Sequence, residues 1–360
     1  MAGRRTPLYN ATARQGASFG DWAGWELPAS YGDLLAEYKA ACDGDADHDS
    51  SYMGRVKGTG EDVLDLLHRL STNAVVSLEA GQGAPTVLTT DRGRILDLIT
   101  VLNLGDHIQL LTGPQASQDV IEWIDKYTIV DDVEFEDVTS STAMVSVIGP
   151  KGPDILGSLA GIELGTFAPH QSARVAIAGA EGYIVRRDLA DLTRCEVVVK
   201  SHDSEMVWQE IIGVGVTPVG LEVSEVLRVE RALPGHDGEL GESYNPLETG
   251  LWGSISFTKG CYIGQEVIAR LDTYQKVQKH LVSFSFSPDA RIEAGIKLAK
   301  EGREVGQVTS VVKVPTTGEL IGLGYVRKEA AEVGTQISLA EEAGSWAKVE
   351  AQALPFGPGG

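Results

Sequence analysis

The sequence predicts an α+β fold that ends in a small β-barrel or sandwich. Helical and strand periodicities alternate through the first part of the chain, with antiparallel strands joined by short turns. A second stretch, from Ser141 to about Gly215, has a comparable mixture of strands and helices without a clear residue-level repeat. After about Lys276 only short strands follow, broken by glycine, proline and charged turns. At 360 residues the chain is long enough for two or three domains of about 100–200 residues each.

The elements follow in order. Pro28 to Ala41 places Leu34, Leu35, Tyr38 and Ala41 on one face and predicts an amphipathic helix. The acidic run from Cys42 to Gly54 imitates a calcium loop at Asp43, Asp45 and Asp47. His48 stands where such a loop needs its turning glycine, and Gly54 where it needs a bidentate glutamate, so a solvated loop is expected. Glu61 to Thr72 predicts a helix with Val63, Leu64, Leu67 and Leu70 on one face. Ala84 to Gly113 reads as three strands, with turns at Asp91-Arg92-Gly93 and Gly105-Asp106. Ser117 to Tyr127 predicts a helix and Val133 to Val138 a strand.

The second mixture begins with a strand at Ser141–Gly149 and a helix at Gly152–Ala160. A hairpin at Ala173–Asp188 and a strand at Arg194–Lys200 come next, then a helix at Ser204–Gly215 that buries Met206, Ile211 and Ile212. In Leu227–Glu230 the alternation predicts a strand with Arg228 and Glu230 on one face. Gly264 punctuates the step into a helix beginning at Gln265. The final strands fall in His280–Ser287, Ile296–Val314, Glu319–Lys328, Thr335–Ala340 and Trp346–Phe356.

Composition narrows the partners. The net charge is −21, from 51 acidic against 30 basic residues, which opposes binding to nucleic acid or to anionic membranes. No stretch approaches the ~18 apolar residues needed to span a bilayer, and no apolar segment follows the first ten residues, so a cytoplasmic protein is expected. Cys42, Cys195 and Cys261 are too few and too scattered for a disulfide framework or a zinc site, and no metal is expected. Nothing in the chain calls for more than a monomer.

Four stretches, Trp22–Ala41, His48–Gly60, Leu227–Leu251 and Gly302–Gly334, resemble the tetrahydrofolate-dependent T-protein of the glycine cleavage system. Lys259 to Arg270, "KGCYIGQEVIAR", resembles the signature of a sister group, the YgfZ-type folate-binding proteins related to factors for iron–sulfur protein maturation. The resemblance implies a T-protein-like ring of three domains, two α+β and one C-terminal β-barrel, around a central folate-binding opening. The boundaries implied are 1–50 with 140–250, then 51–139, a signature segment at 251–276, a barrel at 277–356 and an unstructured tail at 357–360.

T-proteins carry a motif of the form Arg-x-Gly-Tyr-Thr-Gly-Glu-x-Gly-x-Glu. The matching stretch here, "RRDLADLTRCE", keeps the closing acid as Glu196, where the family's glutamate grips the pterin edge. Leu189 and Leu192 replace the tyrosine and the internal glutamate, and the glycines are gone. The chemistry suits a carboxylate, since a pterin's 2-amino group and N3–H form a donor pair. Asp97 falls where T-proteins place their functional aspartate; the alternative is a turn or strand-end carboxylate facing water.

Arg228 and Glu230 match a family pattern and are candidates for folate binding, with a buried structural ion pair as the alternative. Arg270 is placed either on the folate tail or in an i,i+4 pair with Glu266. Trp22 is a candidate floor for the pterin, while Trp25 is assigned to the core. Cys261 follows Gly260, which permits close backbone approach, and precedes a helix start. Free N–H groups there, together with Lys259, favour a thiolate.

Two functions follow. One is a tetrahydrofolate-binding factor that supports iron–sulfur protein assembly or repair, with Cys261 as its reactive thiol and an iron–sulfur client as partner. The other is a tetrahydrofolate-dependent aminomethyl- or methyltransferase of the T-protein type.

Overall fold

A computed structural model describes residues 3–236, 238–288, 290–340 and 344–352. The expected tail at 357–360 and the end of the last expected strand lie outside the described residues. The chain forms two compact units. The first comprises Met1–Thr86 and Asp97–Ser224, the second Val87–Leu96 and Glu225–Gly360.

The first unit opens with β1 (Arg4–Arg5), α1 (Tyr9–Arg14), β2 (Ser18–Trp22) and β3 (Trp25–Ser30), whose strands form a sheet of order β1-β3-β2. Next come α2 (Leu34–Asp43), β4 (Ala46–Asp49), β5 (Gly54–Thr59) and α3 (Val63–Leu70). The expected helix from Pro28 is thus two elements, because Pro28 to Ser30 complete β3. On α2 Leu35 is exposed and the buried residues are Ala41, as expected, and Glu37, whose oxygens accept from Ser30 Oγ, Tyr31 N and Gly220 N.

The acidic stretch is not a solvated loop. Ala46 to Asp49 form β4 inside a sheet and are buried. Such polar burial is tolerable because the groups are bonded: Asp49 accepts from Thr6 Oγ1 at 2.6 Å and Ser51 N at 3.0 Å, and Asp47 from Trp208 Nε1.

Then follow β6 (Gly83–Thr89), β7 (Ile95–Asn103), β8 (Ile108–Thr112), α4 (Ser117–Asp125) and β9 (Glu134–Asp137), giving a five-stranded sheet of order β6-β7-β8-β5-β9. The remaining elements are β10 (Thr142–Ile148), α5 (Gly152–Ala160), β11 (Ser172–Ile177), β12 (Ala180–Arg186), β13 (Arg194–Lys200), α6 (Ser204–Gly213) and β14 (Thr217–Pro218). They complete a six-stranded sheet of order β11-β12-β13-β10-β4-β14. Strand alternation gives this sheet two apolar faces. Val145, Val147, Cys195 and Val197 pack with Leu156 of α5 and Val207, Trp208 and Ile211 of α6. Met144, Tyr183, Val185 and Val198 pack with Leu102 and Leu111 of the five-stranded sheet and with Leu104 in the turn after β7. Met206, expected in the core, is 41% exposed, since Val207, Trp208 and Ile211 take the buried stripe of α6.

Helix α7 (Leu221–Glu230) replaces the strand expected at Leu227–Glu230. Val223, Val226 and Leu227 are buried, a helical spacing that a four-residue window cannot reveal. In the second unit, α8 (Gln265–Thr273) precedes β15 (Lys279–Phe286), β16 (Lys297–Lys300), β17 (Arg303–Lys313), β18 (Leu320–Arg327), β19 (Gln336–Leu339) and β20 (Trp346–Gln352). These six strands close into a barrel of order β15-β18-β17-β16-β19-β20. Register shifts at Ser283/Phe284, Leu298/Ala299 and Val308/Ser310 supply the bends closure needs. Phe284, Phe286, Leu298, Val308 and Val349 fill it. The fold is therefore mixed α+β with a C-terminal β-barrel, as the periodicity predicts.

Candidate functional site

Alternation along β13 puts Arg194, Glu196 and Val198 on one face of the six-stranded sheet. Glu196 is directly opposite Val185 on β12 and Ser146 on β10, and Ser146 is opposite His48 on β4. Arg187, just beyond β12, donates its backbone N–H to Arg194 O at 2.8 Å. The hairpin closes through Leu189 and Leu192, whose backbones bond reciprocally at 2.8 and 3.0 Å, with Ala190 at φ 53°. The two leucines that depart from the T-protein motif thus build an apolar tip that sets two arginines face to face.

Glu196 is 1% exposed. Arg187 Nη1 donates to both its oxygens, at 3.1 and 2.8 Å, and Arg194 Nε lies 3.5 Å away. Burial pushes the Glu196 carboxyl up, but Arg187 and Arg194 outweigh it and hold the group below the usual glutamate value. Beside this trio, burial and Arg187 lower His170 to about 4, and its Nδ1 is buried without a partner. Tyr52 stands near Arg194. It meets Trp22 edge-to-face at 4.9 Å and His48 Nε2 at 3.4 Å from its hydroxyl. Trp22, expected as a floor for the pterin, packs against Tyr52, and Trp25 lies in the core at 6% exposure, as expected.

Asp97 lies elsewhere in the first unit, within β7, and is 2% exposed rather than a water-facing strand end. Gly113 N donates to its Oδ2 at 2.9 Å. Burial lifts its carboxyl to about 7, against the pull of the Gly113 and Leu98 backbone N–H groups. A buried acid titrating near neutrality suits proton transfer.

The other expected residues belong to the second unit. The guanidinium of Arg228 donates to Glu225, Leu233 O, Glu239 Oε2 and Ser310 Oγ, at 2.8–3.2 Å. Glu239 is fully buried, so Arg228 serves there as an internal brace. Glu230 stands 3.5 Å from Arg231. Arg270 is exposed, and among the described residues no ion pair joins it to Glu266. Lys259 lies over the Tyr262 ring at 5.1 Å, and burial lowers its amine to about 8.

Cys261 is exposed. It precedes Gly264, the N-cap of α8, and so falls outside the first turn where helix N–H groups would favour a thiolate. Gly260 has no neighbour within 4 Å of a Cβ position, so close approach does not explain it. Gly264 does need to be glycine: its φ is 84°, and a Cβ would come within 2.7 Å of Thr89 Oγ1 and Thr90 O. Cys195 is buried, and burial pushes its thiol to about 12.

Arg187, Arg194, His48, Tyr52 and His170 were missed by sequence reasoning. One signal was readable, since a strand at Arg194–Lys200 already puts Arg194 beside Glu196. The others depend on strand neighbours distant in sequence. As a donor set, the site offers an ionised carboxylate, guanidinium N–H groups and an aromatic wall. An ionised carboxylate has about four lone-pair positions. Arg187 bonds each Glu196 oxygen once, which leaves capacity for a ligand's adjacent donor pair.

A family model described as the GCVT N-terminal domain matches residues 8–259, and one described as the glycine cleavage T-protein C-terminal barrel domain matches residues 279–356. A putative chloroplastic transferase from Arabidopsis thaliana is 32% identical over 298 residues, 82% of this chain and 68% of that protein. Aminomethyltransferases from Thermosynechococcus vestitus and Geobacillus kaustophilus are 29% and 28% identical; the alignments cover 93% and 98% of this chain, and 91% and 98% of those proteins. The crystal structure of glycine cleavage system aminomethyltransferase T from Bartonella henselae superposes with a TM-score of 0.87 at 21% identity, covering 98% of each chain, and shares the fold.

Proposed function

The chain belongs to the glycine cleavage T-protein family, and from that membership we propose that it is a tetrahydrofolate-dependent one-carbon transferase of the aminomethyltransferase type. The observation that carries the reading is Glu196, a buried carboxylate kept ionised by Arg187 and Arg194. Such a group accepts the 2-amino and N3–H donors of a pterin without first losing a proton. Tyr52, near Arg194 and edge-to-face with Trp22, would supply aromatic surface for the ring.

Bound tetrahydrofolate would supply the nucleophilic nitrogens that accept a one-carbon unit. This chain's residues would bind the ring through Glu196 and exchange a proton at Asp97, whose carboxyl titrates near neutral pH. Arg228 and Glu230 are assigned to holding the second unit in shape.

The test is calorimetric titration with tetrahydrofolate, followed by turnover with a lipoylated aminomethyl carrier. Wild type is expected to bind and to form methylene-tetrahydrofolate. Glu196→Gln is expected to weaken binding by roughly 10- to 100-fold, the cost of a hydrogen bond to a charged group. An unchanged dissociation constant would remove Glu196 from the site.

A second reading rests on Cys261, an exposed thiol two residues from a lysine of lowered basicity. It is the iron–sulfur maturation role implied by the "KGCYIGQE" signature, with a client protein as partner. The curated relatives named above are transferases, which favours the first reading. Cys261→Ala separates the two, since only the second expects it to abolish rescue of iron–sulfur enzyme activity in a deficient host. Among the described residues no helix is long and apolar enough to cross a membrane.

A further inference from the structure

We propose that Arg194 is a specificity-determining residue that reads the 4-oxo oxygen of the pteridine whose 2-amino and N3–H groups Glu196 accepts. The inference rests on the folate reading above and adds a contact to it.

Arg194 stands where the T-protein motif has its last glycine. It lies two residues before Glu196 on one strand, so the two heads emerge side by side from the same sheet face. Its Nε is used within the hairpin, donating to Arg187 O at 2.8 Å, and lies 3.5 Å from Glu196 Oε1. Among the described residues no hydrogen bond reaches its Nη1 or Nη2, although the side chain is only 20% exposed. The stem of Arg194 is largely buried while its terminal donors reach solvent with no partner among the described residues, so they are open to an acceptor from a ligand. Arg187 differs, since its Nη1 is committed to both Glu196 oxygens.

The edge of a 4-oxo pteridine runs donor, donor, acceptor: the 2-amino N–H, N3–H and then the oxygen on C4. A carboxylate followed on the same side by guanidinium N–H groups is the complement of that order. In a 4-amino pteridine N3 carries no hydrogen and C4 carries a donor. Arg194 would then face N–H against N–H, and its donors would lose their partner.

The experiment is a cycle of two ligands and two proteins, tetrahydrofolate and its 4-amino analogue against wild type and Arg194→Met, with dissociation constants from calorimetry. Wild type should prefer the 4-oxo ligand, and Arg194→Met should shrink that preference at least tenfold. Glu196 is common to both proteins, so its share of the preference cancels. An equal preference in both proteins would overturn the inference and leave the folate reading standing. Wild type that binds neither ligand would sink both. Arg194→Gly, which restores the motif's own residue, repeats the cycle should the methionine variant lose its fold by circular dichroism. The same loss of preference is required of it.

Discussion

Asp47 sits in β4 with one oxygen bonded to Trp208 and the other, Oδ1, buried without a partner. Burial raises its carboxyl to about 8. The folded chain therefore keeps a proton that the unfolded chain releases near pH 4. Below about pH 4 both states hold it and the burial is without pH cost. As pH rises from there toward 8 the unfolded state gains by ionising, so stability falls, and above 8 it levels. Asp47→Asn is expected to flatten this decline, read as urea midpoints between pH 5 and 8. A slope as steep as wild type would mean that Asp47 is ionised in the folded chain. Asp97, raised to about 7, is expected to give the one-carbon transfer rate a limb near that pH, and Asp97→Asn to remove it. A limb that survives the substitution would assign it to another group.

Among the elements, the junction before α8 is the most exacting. Gly264→Ala must place a side chain at φ 84° and against Thr89 and Thr90. A left-handed non-glycine costs roughly 1–2 kcal/mol before any clash, so a loss of about 2 kcal/mol or more is expected in urea unfolding. Loss below 0.5 kcal/mol would show that the turn relaxes. This glycine was legible as punctuation, but its cause was not, because the opposing turn lies far away in sequence. The same divide runs through the other elements. Helices such as α3 and α5 and hairpins such as β11–β12 carry their period in adjacent residues, and all were read. β4 was missed because Asp47, His48 and Asp49 have no apolar alternation; distant partners, Trp208 and Thr6 among them, make their burial tolerable. Helix α7 was misread from four residues whose local alternation hid a longer period. In the candidate site, Glu196 is proposed from its motif, whereas Arg187 becomes relevant only because the hairpin turns it toward β13.

At the scale of the whole molecule, the barrel core is built from residues of the second unit. Phe284 is 1% exposed within the barrel. Phe284→Ala is expected to cost about 3–5 kcal/mol. In scanning calorimetry it should lower one transition and leave the one carrying the six-stranded sheet in place. A uniform shift of a single transition would mean that the units melt together. The barrel was readable from its short strands, since each carries its own alternation. The assignment of Val87–Leu96 to the same unit was not, because nothing in those ten residues advertises the company they keep.

That assignment constrains how the protein can be made and divided. The ribosome releases Thr89 and Thr90 long before Gly264 exists, so the C-terminal unit must wait for its last strands while a piece of it is already attached to the other. A gene fragment beginning at Glu225 would encode every barrel strand and still lack the turn on which Gly264 rests. Excision at the apparent boundary should leave α8 without the turn packed at its start, and supplying residues 87–96 as a tethered peptide should restore it.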